Sequence, residues 1–134
     1  MAKRELAIKT YDGENGSKIF VLSQNIKGMD EYHKAKAIET FINRETKVLE
    51  MAIETYLRQV LRENDILPMD GSKSALERAF ITLENNGKAI NIYDRYNETY
   101  GERIIGQSSN LMTVIEEDGI LSCAIEVEVV ENGR

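Results

Sequence analysis

The spacing of apolar residues changes period along the chain, and each change predicts a different kind of element. Residues 4–10 alternate, with Leu6 and Ile8 on one face. Asp12, Gly13, Glu14, Asn15, Gly16 and Ser17 are turn residues packed together. Residues 18–26 alternate again: Phe20, Leu22 and Ile26 lie on one side, Ile19 and Val21 on the other, and Gly28 closes the run. These features predict an N-terminal β-hairpin.

From residue 30 to residue 64 the period becomes helical. Ile38, Phe41, Ile42, Leu49, Ala52, Ile53, Tyr56, Leu57, Val60 and Leu61 recur at steps of three and four. Asp30 suits the N-cap, where a carboxylate accepts from free N–H groups. A straight helix of that length would run about 50 Å. A domain of this size has a radius of gyration of about 14 Å. The helix therefore breaks or projects. The polar run Asn43, Arg44, Glu45 and Thr46 is the expected break, and an unbroken helix would need a partner chain. A linker around the single proline, Pro68, leads to Ser74-Ala75-Leu76-Glu77, a capping box opening a shorter helix striped with Leu76, Ala79, Phe80 and Leu83. Asn85-Asn86-Gly87 ends it.

The remainder reads as β-structure. Residues 88–96 and 101–107 are expected to pair as a hairpin around Asn97, Glu98 and Thr99. Asp118-Gly119 predicts a two-residue type I′ turn, setting Val114 opposite Cys123 and Met112 opposite Ile125. Leu121, Cys123, Ile125, Val127 and Val129 then share a buried face, while Ser122, Ala124, Glu126 and Glu128 share a wet one. The expected fold is a single α+β domain over residues 1–134. It has an antiparallel sheet of about six strands in ββ-αα-ββββ order, packed against one long or broken helix and one shorter helix.

Composition narrows the chemistry. Hydrophobic residues make up 42% of the chain, enough for a core, and the net charge is −6. An acidic chain is a poor nonspecific binder of nucleic acid or of anionic membranes. One cysteine and one histidine can form neither an internal disulfide nor a structural zinc site. No apolar run approaches membrane-span length, and the charged N-terminus lacks a signal-peptide core, so the expected location is cytoplasmic. No metal site and no cofactor are expected.

Several residues invite a chemical reading. Gly13 to Lys18 superficially suggests a phosphate loop, but its glycines are too close and it precedes a strand. His33 sits in the first turn of the long helix, a poor place to stabilise its cation, and reads as an exposed residue. Cys123 reads as a small core hydrophobe. Glu126 and Glu128 alternate on the last strand, which is the ordinary way to solvate a sheet face and protect an edge.

The stretch from 91 to 103 is the densest in binding chemistry. Asn91, Tyr93 and Arg95 share a strand face, and Tyr100 and Arg103 follow. Arginine forks suit phosphate or carboxylate, and tyrosine offers a stacking surface. A solvated hairpin pairing Arg95 with Glu102 and Asp94 with Arg103 would use the same residues. Three functions follow from the sequence. The first is a non-enzymatic, homo-oligomeric protein gripping a small anionic, nucleotide-like ligand through Asn91, Tyr93, Arg95, Tyr100 and Arg103. The second is a protein-interaction module or inhibitor using the helix or a sheet edge. The third is a carboxylate-dependent enzyme, ranked last because no nucleophile–base pair is signalled.

Overall fold

The computed structural model describes residues 5–96, 104–107 and 112–131. Its element order is β1 (Glu5–Asp12), β2 (Lys18–Asn25), α1 (Glu31–Thr40), a π-helical turn (Phe41–Glu45), α2 (Thr46–Glu63), α3 (Ala75–Asn85), β3 (Lys88–Asp94), β4 (Ile104–Gln107), β5 (Thr113–Glu117) and β6 (Ile120–Glu131). This is the α+β architecture and the strand-helix order that the sequence pattern predicts.

The first hairpin forms in a single register from Glu5↔Asn25 to Asp12↔Lys18. β2 then pairs with β6 across Lys18↔Val127 to Asn25↔Ile120. On its other side β6 has two neighbours placed end to end. β5 lies against Ile120, Leu121 and Ser122, and β3 lies against residues 125–131. β6 is thus interior to the sheet, where its alternating glutamates had suggested an edge. Its Glu126 and Glu128 both lie on the open face, Glu126 with its side chain only 14% exposed.

Asp94 joins the two end-to-end strands. Its carboxylate accepts the Thr113 N–H at 2.9 Å through Oδ2 and the Tyr96 N–H at 3.2 Å through Oδ1. The Arg95 N–H continues the ladder onto the Ala124 carbonyl at 2.9 Å. Here the structure corrects two expectations. Residues 88–94 pair with β6 and residues 104–107 with β5, so the two runs do not pair with each other. Ile125 faces Asp94 in place of Met112, because β3 enters where an extended β5 would lie. Local alternation identifies a strand but not which distant strand completes it.

The Asp118-Gly119 turn forms as predicted. Both residues have positive φ, 53° and 76°, as a type I′ turn requires. The core face of the sheet carries Phe20, Leu22, Leu121, Cys123, Ile125 and Val127, all buried. Leu49, Ile53, Leu57 and Leu61 of α2 and Ala79 and Leu83 of α3 pack onto it. The opposite face is only partly wet, because Ser122 and Ala124 are buried there as well. The Tyr96 hydroxyl lies 3.0 Å from the Ser122 hydroxyl and brings its ring over that patch.

The long helix runs through the expected break. Residues 31–63 form one helical stretch of 33 residues. The polar run at 43–46 falls at the π-helical turn, with Glu45 and Thr46 buried rather than looped out. The extra residue in a π turn rotates the downstream face, so an interrupted stripe can continue without a break. The Thr46 hydroxyl donates to the Ile42 carbonyl at 3.2 Å inside that turn. None of the ten α1 residues is fully buried, although Ala37 and Ile38 pack against the core. Asp30 caps α1 through the His33 N–H at 2.8 Å, and Ser74 and Glu77 form the reciprocal capping box of α3.

Candidate functional site

Strand parity places one set of side chains on the sheet face that no described helix covers. Tyr11, Ile19, Glu126 and Tyr93 form a row across β1, β2, β6 and β3, because each stands opposite the next in register. Tyr11 and Tyr93 are each half exposed. Lys9, Val21, Ala124 and Arg95 form the row beside it.

Glu126 is the centre of this face. The Arg95 guanidinium donates to its Oε1 at 2.7 Å, and the buried Ser17 hydroxyl donates to its Oε2. These bonds, Ser17 first and Arg95 second, hold its carboxyl below the usual carboxylate range, against an opposing effect of burial. Ser17 has a single proton to share between Glu126 and the Glu14 carbonyl, 3.0 Å away. Gly13 makes the approach possible. A Cβ at that position would lie 2.7 Å from Glu126 Oε2 and closer still to the Ser17 hydroxyl. The turn from 13 to 17 is therefore shaped to present Ser17 to a carboxylate on a strand more than a hundred residues later in sequence.

A hollow of about 520 Å³ opens here, lined by Asp12, Gly13, Glu14, Ile19, Arg95 and Glu126. Its charged lining is Glu14, Glu126 and the Arg95 guanidinium, which Glu126 engages; Asp12 borders it from β1, but strand parity turns its side chain to the helix-bearing face. The Lys18 ammonium pairs with Asp12 at 2.7 Å. Among the described residues, no three of the His, Cys, Asp and Glu side chains converge to hold a metal ion.

The predicted site residues divide. Asn91, Tyr93 and Arg95 share the exposed face, as their alternation implies, and Asn91 donates to Glu128 Oε1 at 3.1 Å. Tyr100 and Arg103 lie outside the described residues. So do Glu102 and the loop expected to pair it with Arg95; the partner the structure gives Arg95 is Glu126. The sequence reading missed Gly13 and Ser17, which look like ordinary turn residues until β6 is laid beside them. It also missed the role of Asp94, for which the signal is an acidic residue at a strand end.

His33 and Cys123 stand as read. His33 is exposed, its Nδ1 2.8 Å from Asp30 Oδ1, with the Tyr32 ring edge-on at 5.4 Å. The Asp30 carboxyl is held low by the His33 backbone N–H and then by its ring. Cys123 is fully buried, and burial, with a smaller push from Asp94, raises its thiol to about 12. Nucleophilic chemistry needs the opposite displacement. No helix among the described residues is long and apolar enough to cross a membrane. No protein-family model, no curated protein and no solved structure matches this chain.

Proposed function

We propose that this chain is a non-enzymatic protein-binding module that docks its partner on the open sheet face, and that the partner offers a basic side chain among apolar ones. The supporting observation is the row Tyr11, Ile19, Glu126 and Tyr93, uncovered by the described helices and bordered by Glu14. Tyrosine and arginine are the residue types that concentrate binding energy at protein interfaces. The excess of carboxylates favours a cationic complement.

The small-anion reading uses the same face, but Arg95 is already matched by Glu126, and an incoming phosphate would meet Glu126 and Glu14 there. Acid–base catalysis near neutrality calls for a carboxyl raised toward the working pH, whereas Glu126 is displaced the other way.

Immobilised peptide libraries with every residue type sampled at each position test the reading directly. Arginine- or lysine-containing peptides with an aromatic neighbour should be enriched. Tyr93→Ala and Glu126→Gln should each weaken them by about tenfold, the effect of a single interface hot spot. Absence of any such enrichment defeats the proposal. A melting temperature raised by ATP, ADP or inorganic phosphate in the native protein, and unchanged by them in Arg95→Ala, would replace it with the anion reading.

A further inference from the structure

Among the described residues β1 is the end of the strand path and is bonded on one side only, to β2. Ala7, Ile8, Lys9, Thr10 and Tyr11 are all exposed, and Ile8 is 42% exposed although its side chain points to the helix-bearing face. Soluble proteins blunt such edges with proline, bulges or inward charges. β1 has no proline, its register runs unbroken over eight pairs, and Lys9 is its one basic residue within the exposed run.

Two bonds at the ends of the neighbouring ladders fix which backbone groups of β1 the β2 ladder leaves unused. The Gly13 N–H donates to the Ser17 carbonyl at 2.9 Å, and the Ile26 N–H donates to the Gly119 carbonyl at 2.8 Å. Bonded pairs alternate along antiparallel strands. Odd-numbered residues of β1 therefore bond to β2, even-numbered residues of β2 bond to β6, and Leu6, Ile8 and Thr10 turn their N–H and C=O groups outward.

We propose that this edge is the seam of a homodimer, in which β1 of two copies pair antiparallel about a twofold axis through Ile8. The occupant is a second copy because the edge is complementary to itself in this register. Ile8 meets Ile8 of the second copy as a bonded pair. Leu6 and Thr10 meet each other twice, giving three bonded pairs in all. On the other face Lys9 falls opposite Ala7 of the second copy, so the like charges are not opposed. Centring the axis on Lys9 would oppose them. The helices also allow it. α2 lies over β2, and three strand spacings separate the two β2 strands, about 14 Å in all. Helix axes need about 8–10 Å. Beside β1 a hollow of about 390 Å³, bounded by Thr10, Phe20, Ala52 and Tyr56, is open to receive the side chains of the second copy. The seam shares Tyr11 with the docking face, but Tyr93 lies three strands away on β3, so Tyr93→Ala and Ile8→Lys test peptide binding and dimerisation separately.

Amide exchange followed by NMR, alongside light scattering, tests the seam residue by residue. As concentration rises from micromolar to millimolar, scattering should report a dimer. The amides of Leu6, Ile8 and Thr10 should become slow, while those of Ala7, Lys9 and Tyr11 stay protected throughout. Ile8→Pro removes an N–H that the β1–β2 ladder does not use, and should give a monomer with Lys9 and Tyr11 still protected. Ile8→Lys keeps the backbone intact, places like charges on the axis and should also be monomeric. A wild-type chain that stays monomeric at millimolar concentration overturns the proposal. So does a dimer in which the Leu6, Ile8 and Thr10 amides exchange freely, or one that survives Ile8→Lys.

Discussion

The Cys123 thiol gives the fold a pH dependence that can be worked out in advance. Its ordinary value is 9.0, and burial followed by the nearby Asp94 carboxylate raises it to about 12 in the native chain. Above pH 9 the unfolded chain loses this proton while the native chain keeps it, so the unfolded state gains. The stability is therefore fully present below pH 9 and drains away as the pH climbs toward 12. Three pH units at about 1.4 kcal/mol each amount to about 4 kcal/mol in total, of which about 1.4 kcal/mol is lost by pH 10. Cys123→Ala abolishes this titration and leaves every other titrating group in place. The tyrosines and lysines that ionise in the same range then affect both proteins alike. Urea unfolding at pH 7 and pH 10 should show wild type losing about 1.4 kcal/mol more than the variant, at unchanged denaturant slope. A difference below about 0.3 kcal/mol would mean that the native thiol reaches water, and the burial of β6 against α2 would have to be rebuilt.

Asp94→Ala leaves the backbone N–H groups of Thr113 and Tyr96 without their acceptor, and Thr113 is buried. The expected destabilisation is about 2–3 kcal/mol by denaturant titration, the range for orphaned buried donors; a value near zero would show that the junction of β3 and β5 holds without the carboxylate. Gly119→Ala puts a side chain at φ 76° with its Cβ 2.5 Å from Lys27 Cγ. It should cost about 1–2 kcal/mol of thermal stability, and a neutral result would argue against the type I′ turn.

The sequence speaks most clearly where an element is defined by its own neighbours. The hairpin turns at 13–17 and 118–119, the caps at Asp30 and Ser74, the alternation of β6 and the burial of Cys123 are all local signals, and each appears where its residues predict. Two kinds of information are missing from the local pattern. One is the choice of strand partner: residues 88–94 alternate equally well beside a hairpin mate or beside β6, and only the assembled sheet decides. That choice also brings Glu126 beside Arg95 and so recasts the candidate site. The other is tolerance of helical irregularity. A polar run that would end a regular helix is absorbed by widening one turn, which a fixed period of 3.6 cannot represent. Ser17 and Gly13 escaped notice for the first reason, since their function depends on a carboxylate 109 residues away.

The interior position of β6 has a consequence for how the chain is made. β2 gains its second partner only from a strand about a hundred residues later in sequence, as the 109-residue separation of Ser17 and Glu126 shows. At about 5–20 residues per second, a ribosome leaves β2 and the hairpin it forms with β1 waiting for roughly 5–20 s. A two-stranded hairpin is marginal in water, whereas helices form in about a microsecond from contacts close in sequence. During synthesis the long amphipathic helix is therefore the first cover available to Phe20 and Leu22. The helix can cover the nascent hairpin before β6 emerges to join β2, β3 and β5.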